Sequence, residues 1–120
     1  MTKYEILLCI YSYLDKAWCE DQNKSEEYLY YISNLNPNIW QGEGTADPAY
    51  YQEFLKICNS FFKKSECTLE EGFHYAKKYL DKYNIQEHNE FSSNIDEVIA
   101  VFSKCTISEW HKIYAELKNR

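Results

Sequence analysis

Any chemistry in this chain would have to come from its histidines, thiols and carboxylates, and their spacing is poor for it. His74, His88 and His111 lie on different segments. No HxxxH or HExxH pair occurs, so a histidine zinc site lacks its local signature. His74 and His111 adjoin Phe73 and Trp110 and read as surface or hydrogen-bonded histidines beside an apolar face. The five cysteines, Cys9, Cys19, Cys58, Cys67 and Cys105, are odd in number and irregular in spacing. Without a CxxC there is neither a thioredoxin-like motif nor a zinc ribbon. Five free thiols are expected, which suits a reducing cytosol. Cys67 and His74 could be imagined as nucleophile and base, but seven residues across a helix start give them no reason to meet.

The carboxylates are numerous, which makes chance pairs common. Glu26-Glu27 and Glu70-Glu71 are explained by helix starts, where negative charge is favoured. The one E-x-x-H, Glu71 to His74, falls short of the pair that marks a di-iron bundle, and Asp81 to Glu90 lacks the calcium-loop pattern. Gly42-Glu43-Gly44 is no phosphate loop, since it has no lysine and puts an acid where the anion would sit. The expectation is a protein without catalytic residues, metal or cofactor.

The elements that would position a site read as helices throughout. Aromatics are frequent, with 12 Tyr, 6 Phe and 3 Trp against only 3 Gly and 2 Pro. Few breakers and long periodic runs argue helix, and 45% hydrophobic content supports a folded core in one domain. Thr2/Glu5, Thr68/Glu71 and Thr106/Glu109 are three capping boxes. They predict helices over 3–19, over 69–83 and from residue 107 onward. Ser25 caps a second helix that Asn36-Pro37 ends. Asp47-Pro48 starts a third, running to about residue 64. Asn94 with Glu97 begins a short fifth, after a polar connector over 84–93 anchored by Phe91. In the first helix the expected buried face is Tyr4, Leu7, Leu8, Tyr11, Leu14 and Trp18. The fold class is all-α: a single-domain bundle of about six helices spanning residues 1–120. Between the second and third helices lies an ordered aromatic loop, residues 36–47, expected to tuck Trp40 into the bundle.

The net charge of −6 makes the chain a poor binder of nucleic acid. The excess is in residues 1–60, with 9 acids against 4 bases; residues 61–120 carry 10 against 9. The run Ile6–Tyr11 is too short for a secretory leader, and no window approaches a membrane span. What remains is surface. Glu20, Asp21, Glu26, Glu27, Glu43 and Asp47 fall around the first two helix ends and the loop. Tyr30, Tyr31 and Tyr51 are interleaved with them, as are Tyr28 and Tyr50. Tyrosine brings large area with a polar tip, so this set is the candidate face for a basic protein partner. The plain alternative is a solvated charged surface over an aromatic core.

The stretch Leu35-Asn36-Pro37, Trp40, then Gly44 to Tyr50 and Phe54 resembles small helical bacterial proteins with an LNP..W…ADPA.Y..F core. Some of these are immunity proteins of contact-dependent growth inhibition systems. The likeness covers most of the first 60 residues and is specific mainly at ADPAxY; the second half carries none. It implies a cytosolic, non-enzymatic protein. Such a protein binds the C-terminal toxin domain of a delivered effector, often a nuclease, and blocks its active site or substrate groove. It chooses no toxin and no oligomeric state. Two other readings stay open: a small helical adaptor or regulatory module, homodimeric in one form, and an enzyme or metal protein assembled only on folding. Replacing Trp40 by alanine is expected to cost about 3–5 kcal/mol if the ring is buried, read from denaturant midpoints, whereas a near-neutral change would mark an exposed anchor.

Overall fold

Each of the three Thr-x-x-Glu boxes closes on itself. In the computed structural model, which describes residues 1–37 and 42–119, the Thr2 hydroxyl accepts the Glu5 amide, and the Glu5 carboxylate accepts the Thr2 amide. This opens α1 (Lys3–Glu20). Thr68/Glu71 does the same for α4 (Leu69–Phe91) and Thr106/Glu109 for α6 (Ile107–Lys118). The Ser25 hydroxyl accepts the Tyr28 amide to start α2 (Glu26–Leu35). Asp47 caps α3 (Pro48–Asn59) with proline in the first turn. With α5 (Asp96–Phe102), the described residues form six helices and no strand, 72% helical.

Helix α1 packs against every other helix. Ile6, Leu7, Cys9, Ile10 and Leu14 are all buried. This is wider than the single stripe expected from periodicity, because a central helix has neighbours on several sides. Leu8, Tyr11 and Trp18 are only partly buried. Gly72 makes room where α4 starts: a Cβ there would lie 2.3 Å from the Met1 sulfur. Buried Trp110 packs 5.4 Å from Phe73 and 6.1 Å from Phe102, ring centre to ring centre.

Several expectations need correction. Helix α3 stops at Asn59, not near residue 64; the chain turns through Ser60 and Phe61, which lets Phe62 be buried. The polar stretch 84–91 is not a connector but the last two turns of α4. Its amide side chains leave the helix backbone alone and bind elsewhere. Asn84 holds the Ile95 amide at 2.7 Å and the Asp96 carboxylate at 2.7 Å, and Gln86 donates to Glu53. Phe91 anchors nothing, being 66% exposed. Glu97 does not box with Asn94. It reaches across to α2, accepting the Ser25 amide at 2.8 Å and the Ser25 hydroxyl at 2.7 Å.

The described part of the central loop is ordered by hydrogen bonds. Ala46 and Asp47 amides donate to the Asn36 and Asn34 carbonyls. Buried Thr45 donates to the Asp47 carbonyl at 2.5 Å and accepts the Tyr51 amide at 3.1 Å. The Tyr4 hydroxyl holds the Gly44 carbonyl at 2.9 Å. The expected seating of Trp40 lies outside the described residues.

Glu5 ties the two ends of the chain. Burial opposes its charge, but the Lys118 ammonium at 2.8 Å and the Thr2 amide outweigh it and hold the carboxyl below its ordinary range. A depressed carboxylate pKa contributes stability above the unfolded value, about 4.3, and that stability is lost as pH falls through the lower folded value. Glutamine at this position keeps a capping side chain and removes the charge. Glu5→Gln is therefore expected to lower the urea midpoint at pH 7. The gap should close on acidification below about pH 4; an unchanged gap at low pH would show that the pair with Lys118 contributes nothing.

Candidate functional site: an acidic groove floored by tyrosines

The groove is built on tyrosines that cross from α2 to α4. Tyr31 and Tyr79 are fully buried, and their hydroxyls share a hydrogen bond of 2.8 Å. A buried phenol without a partner would carry a large desolvation penalty, so the two satisfy each other. Tyr83 packs edge-on against Tyr31 at 5.5 Å, and Tyr50 lies 5.9 Å from Tyr31 and 6.2 Å from Tyr83. Burial pushes all four phenols up, so they stay neutral across the physiological range.

Above this floor opens a cavity of about 320 Å³, walled by Glu26, Glu27 and Tyr30 of α2, Tyr83 and Glu87 of α4, and Asn94. It runs on into a second of about 450 Å³ that shares Tyr30, Tyr50, Tyr83, Glu87 and Ser93 and adds Glu53, Glu90 and Phe91. Among the described residues, five carboxylates line the joined groove and no lysine, arginine or histidine does. Its rim is also apolar: Tyr30 is 67% exposed and Phe91 66%. Two of the acids are pre-oriented by neutral donors. The Ser93 hydroxyl donates to one Glu87 oxygen at 2.6 Å, and the Gln86 amide to one Glu53 oxygen at 2.5 Å. Neither donor neutralises charge.

Of the residues singled out from sequence, Glu26, Glu27 and Tyr30 come together here. Tyr31 does not belong to the exposed face; it is part of the buried floor, and Tyr28 is likewise buried with its hydroxyl on the Leu14 carbonyl. Glu43 and Tyr51 form a separate pair. The Tyr51 hydroxyl donates to Glu43 at 2.8 Å, and its ring meets Tyr4 edge-on at 5.2 Å. Asp47 is occupied as the α3 cap. Glu20 and Asp21 are exposed at the end of α1, where Asp21 holds the Asn23 amide and sits 3.7 Å from Lys24. Sequence reading missed Glu87 and Glu90 because it ended α4 at residue 83, and for the same reason it took Phe91 for the anchor of a connector and Tyr83 for a core residue only. The signal was present: Ala76, Leu80, Tyr83 and Glu87 continue one stripe at helical spacing.

Other features are less suited to a site. A cavity of about 420 Å³ between α1 and α6 mixes Asp15, Glu109 and Glu116 with Lys16 and Lys112, so it presents no single sign of charge. Burial pushes the Cys9 and Cys58 thiols up to about 12 and Cys105 to about 11, far from a reactive thiolate. Among the described residues no group of three or more His, Cys, Asp or Glu could hold a metal ion, and no helix is long and apolar enough to cross a membrane. Comparison with family models, curated proteins and solved structures finds no match to the chain.

Glu90 lies in the last turn of α4 and Glu87 just before it, toward the negative end of the helix dipole, where a carboxylate is locally unfavourable. The next residue but one, Ser92, turns the chain in the left-handed region at φ 56°, a conformation more easily held by glycine. Glu90→Lys is therefore expected to stabilise the free protein by about 0.3–1 kcal/mol. A raised urea midpoint with an unchanged slope would show this, and an unchanged midpoint would show Glu90 to be ordinary solvated surface.

Proposed function

We propose that this chain is a cytosolic immunity protein that neutralises a toxin domain by binding it through the acidic groove. The carrying observation is the groove itself: five carboxylates with no cation among the described residues that line it, set among exposed aromatic rings. Carboxylates kept at a helix end that disfavours them, beside rings left in water, favour a bound state over the free one. Local rules are broken in this way where function requires it. A basic partner would be steered in by charge and held by tyrosine contacts.

The toxin part of the reading rests on the likeness around ADPAxY. A nuclease fits it by chemistry, since a surface made to attract phosphate also attracts a groove of carboxylates. The reading is non-enzymatic: the protein acts by occupying a surface, and its buried thiols have no part in it.

The test is growth protection, expressing this chain with the toxin domain encoded immediately upstream of its gene. Protection and a co-purifying complex are expected. Glu26→Lys, Glu27→Lys and Glu87→Lys together should leave the helical spectrum intact and lower the association rate at least about tenfold at low ionic strength. Asp47 is kept, because it caps α3. Full protection by this folded triple variant would remove the groove from the reading. No protection by the native chain would move the groove to a different protein partner, as in a small helical adaptor.

A further inference from the structure

We propose that the groove receives an arginine side chain of the partner, seated over the tyrosines between Glu27 and Glu87. This rests on the protein-binding reading above but not on the partner being a toxin.

The first argument comes from how this protein uses its own cations. Lys3 lies over Phe62, Lys24 over Tyr28, Lys77 over Phe73, Lys78 and Lys82 over Phe61, and Lys118 over Tyr114. Rings beside a lysine are thus repeatedly covered by its ammonium. Among the described residues, Tyr30, Tyr50 and Tyr83 carry no such cation, although they sit beside five carboxylates. Nor does any groove carboxylate have a cationic nitrogen within 4 Å among the described residues. The place where a cation would gain both ring and carboxylate contacts is the place this chain leaves for one from outside.

The second argument chooses the cation. The acids stand on two facing helices, Glu27 on α2 and Glu87 on α4, around one cavity. A planar guanidinium has donors along several edges and can serve carboxylates on two sides, while its face lies against a ring. An ammonium is a strongly hydrated point charge and would lose more on entering an aromatic-floored cavity. Glu87 is already oriented by the Ser93 hydroxyl on one oxygen, so its acceptor geometry is set before any cation arrives. The exposed Tyr30 ring at the rim completes a face for cation–π contact.

The experiment titrates the whole chain with two peptides, acetyl-Gly-Arg-Ala-Arg-Gly-amide and its lysine counterpart, at fixed ionic strength. Calorimetry gives the affinity, and tyrosine ring resonances locate the site. The arginine peptide is expected to bind about tenfold more tightly, a factor equivalent to about 1.4 kcal/mol. It should shift the Tyr30, Tyr50 and Tyr83 signals. Glu87→Gln and, separately, Tyr30→Ala should each bring the two peptides to within about twofold. Tyr30 is exposed enough for that variant to fold, which its unchanged helical spectrum would verify. Equal affinities, no binding, or a preference that survives both variants would overturn the proposal. Growth protection is a separate readout: loss of protection with the arginine preference intact would sink the toxin assignment alone, and the reverse result would sink only the arginine seat.

Discussion

The hydrogen bond between Tyr31 and Tyr79 sets the geometry on which the rest of this protein depends. Two phenols in a dry interior have few stable arrangements, and mutual pairing at 2.8 Å is one of them. The bond fixes the distance between α2 and α4. Helix α2 packs its backbone against α1, α3 and α5, while long tyrosine side chains span the remaining way to α4. Smaller apolar residues would have drawn the helices into contact and closed the gap. Tyrosines instead hold it open at the surface and fill it below, with Phe54 packed edge-on against Tyr79 at 4.7 Å to lock the base. A groove with a rigid aromatic floor is the direct product.

Charge is then sorted around α4. Nine residues separate Lys78 from Glu87, which at about 100° per residue places them on opposite sides of the helix. One side carries Lys78 and Lys82 over Phe61, and the other carries the groove. The net negative charge of the chain is therefore concentrated, and the local field at the groove is stronger than −6 spread over the surface would give. Glu26 and Glu27 reach this field from the positive end of α2, where they are comfortable. Glu87 and Glu90 reach it from the negative end of α4, where they are not.

What was legible in the sequence was local. Three capping boxes, the Ser25 cap and the Asp47-Pro48 start each depend on residues within four positions, and all are observed. What was not legible depended on partners far away. Asn84 and Gln86 look like loop residues until their side chains are seen to hold α5 and α3. Without those bonds they would compete for the backbone of α4, which is why the sequence suggested an early end. The buried set of α1 was misjudged because one apolar stripe describes a helix at the edge of a bundle, and α1 is at the centre. The site was half legible for the same reason: Glu26, Glu27 and Tyr30 could be gathered from one helix start, whereas Glu87 and Glu90 required the true length of α4. Tyr30 and Tyr31 show the limit of composition. They are chain neighbours of one type, and a rotation of about 100° leaves one 67% exposed and buries the other.

The same construction bears on how a partner would be held. Tyr31 and Tyr79 at the base of the floor are buried and hydrogen-bonded to each other, so a side chain entering the groove meets a surface already in place and little ordering is left to do. The carboxylates above it are partly oriented by Ser93 and Gln86. Steering by charge acts on the encounter, and preformed aromatic contact acts on the lifetime of the complex. The two properties come from different residues here, the rim acids and the tyrosine floor. Evolution could therefore change which partner is met by exchanging rim charges alone, while the Tyr31–Tyr79 bond keeps the seat unchanged.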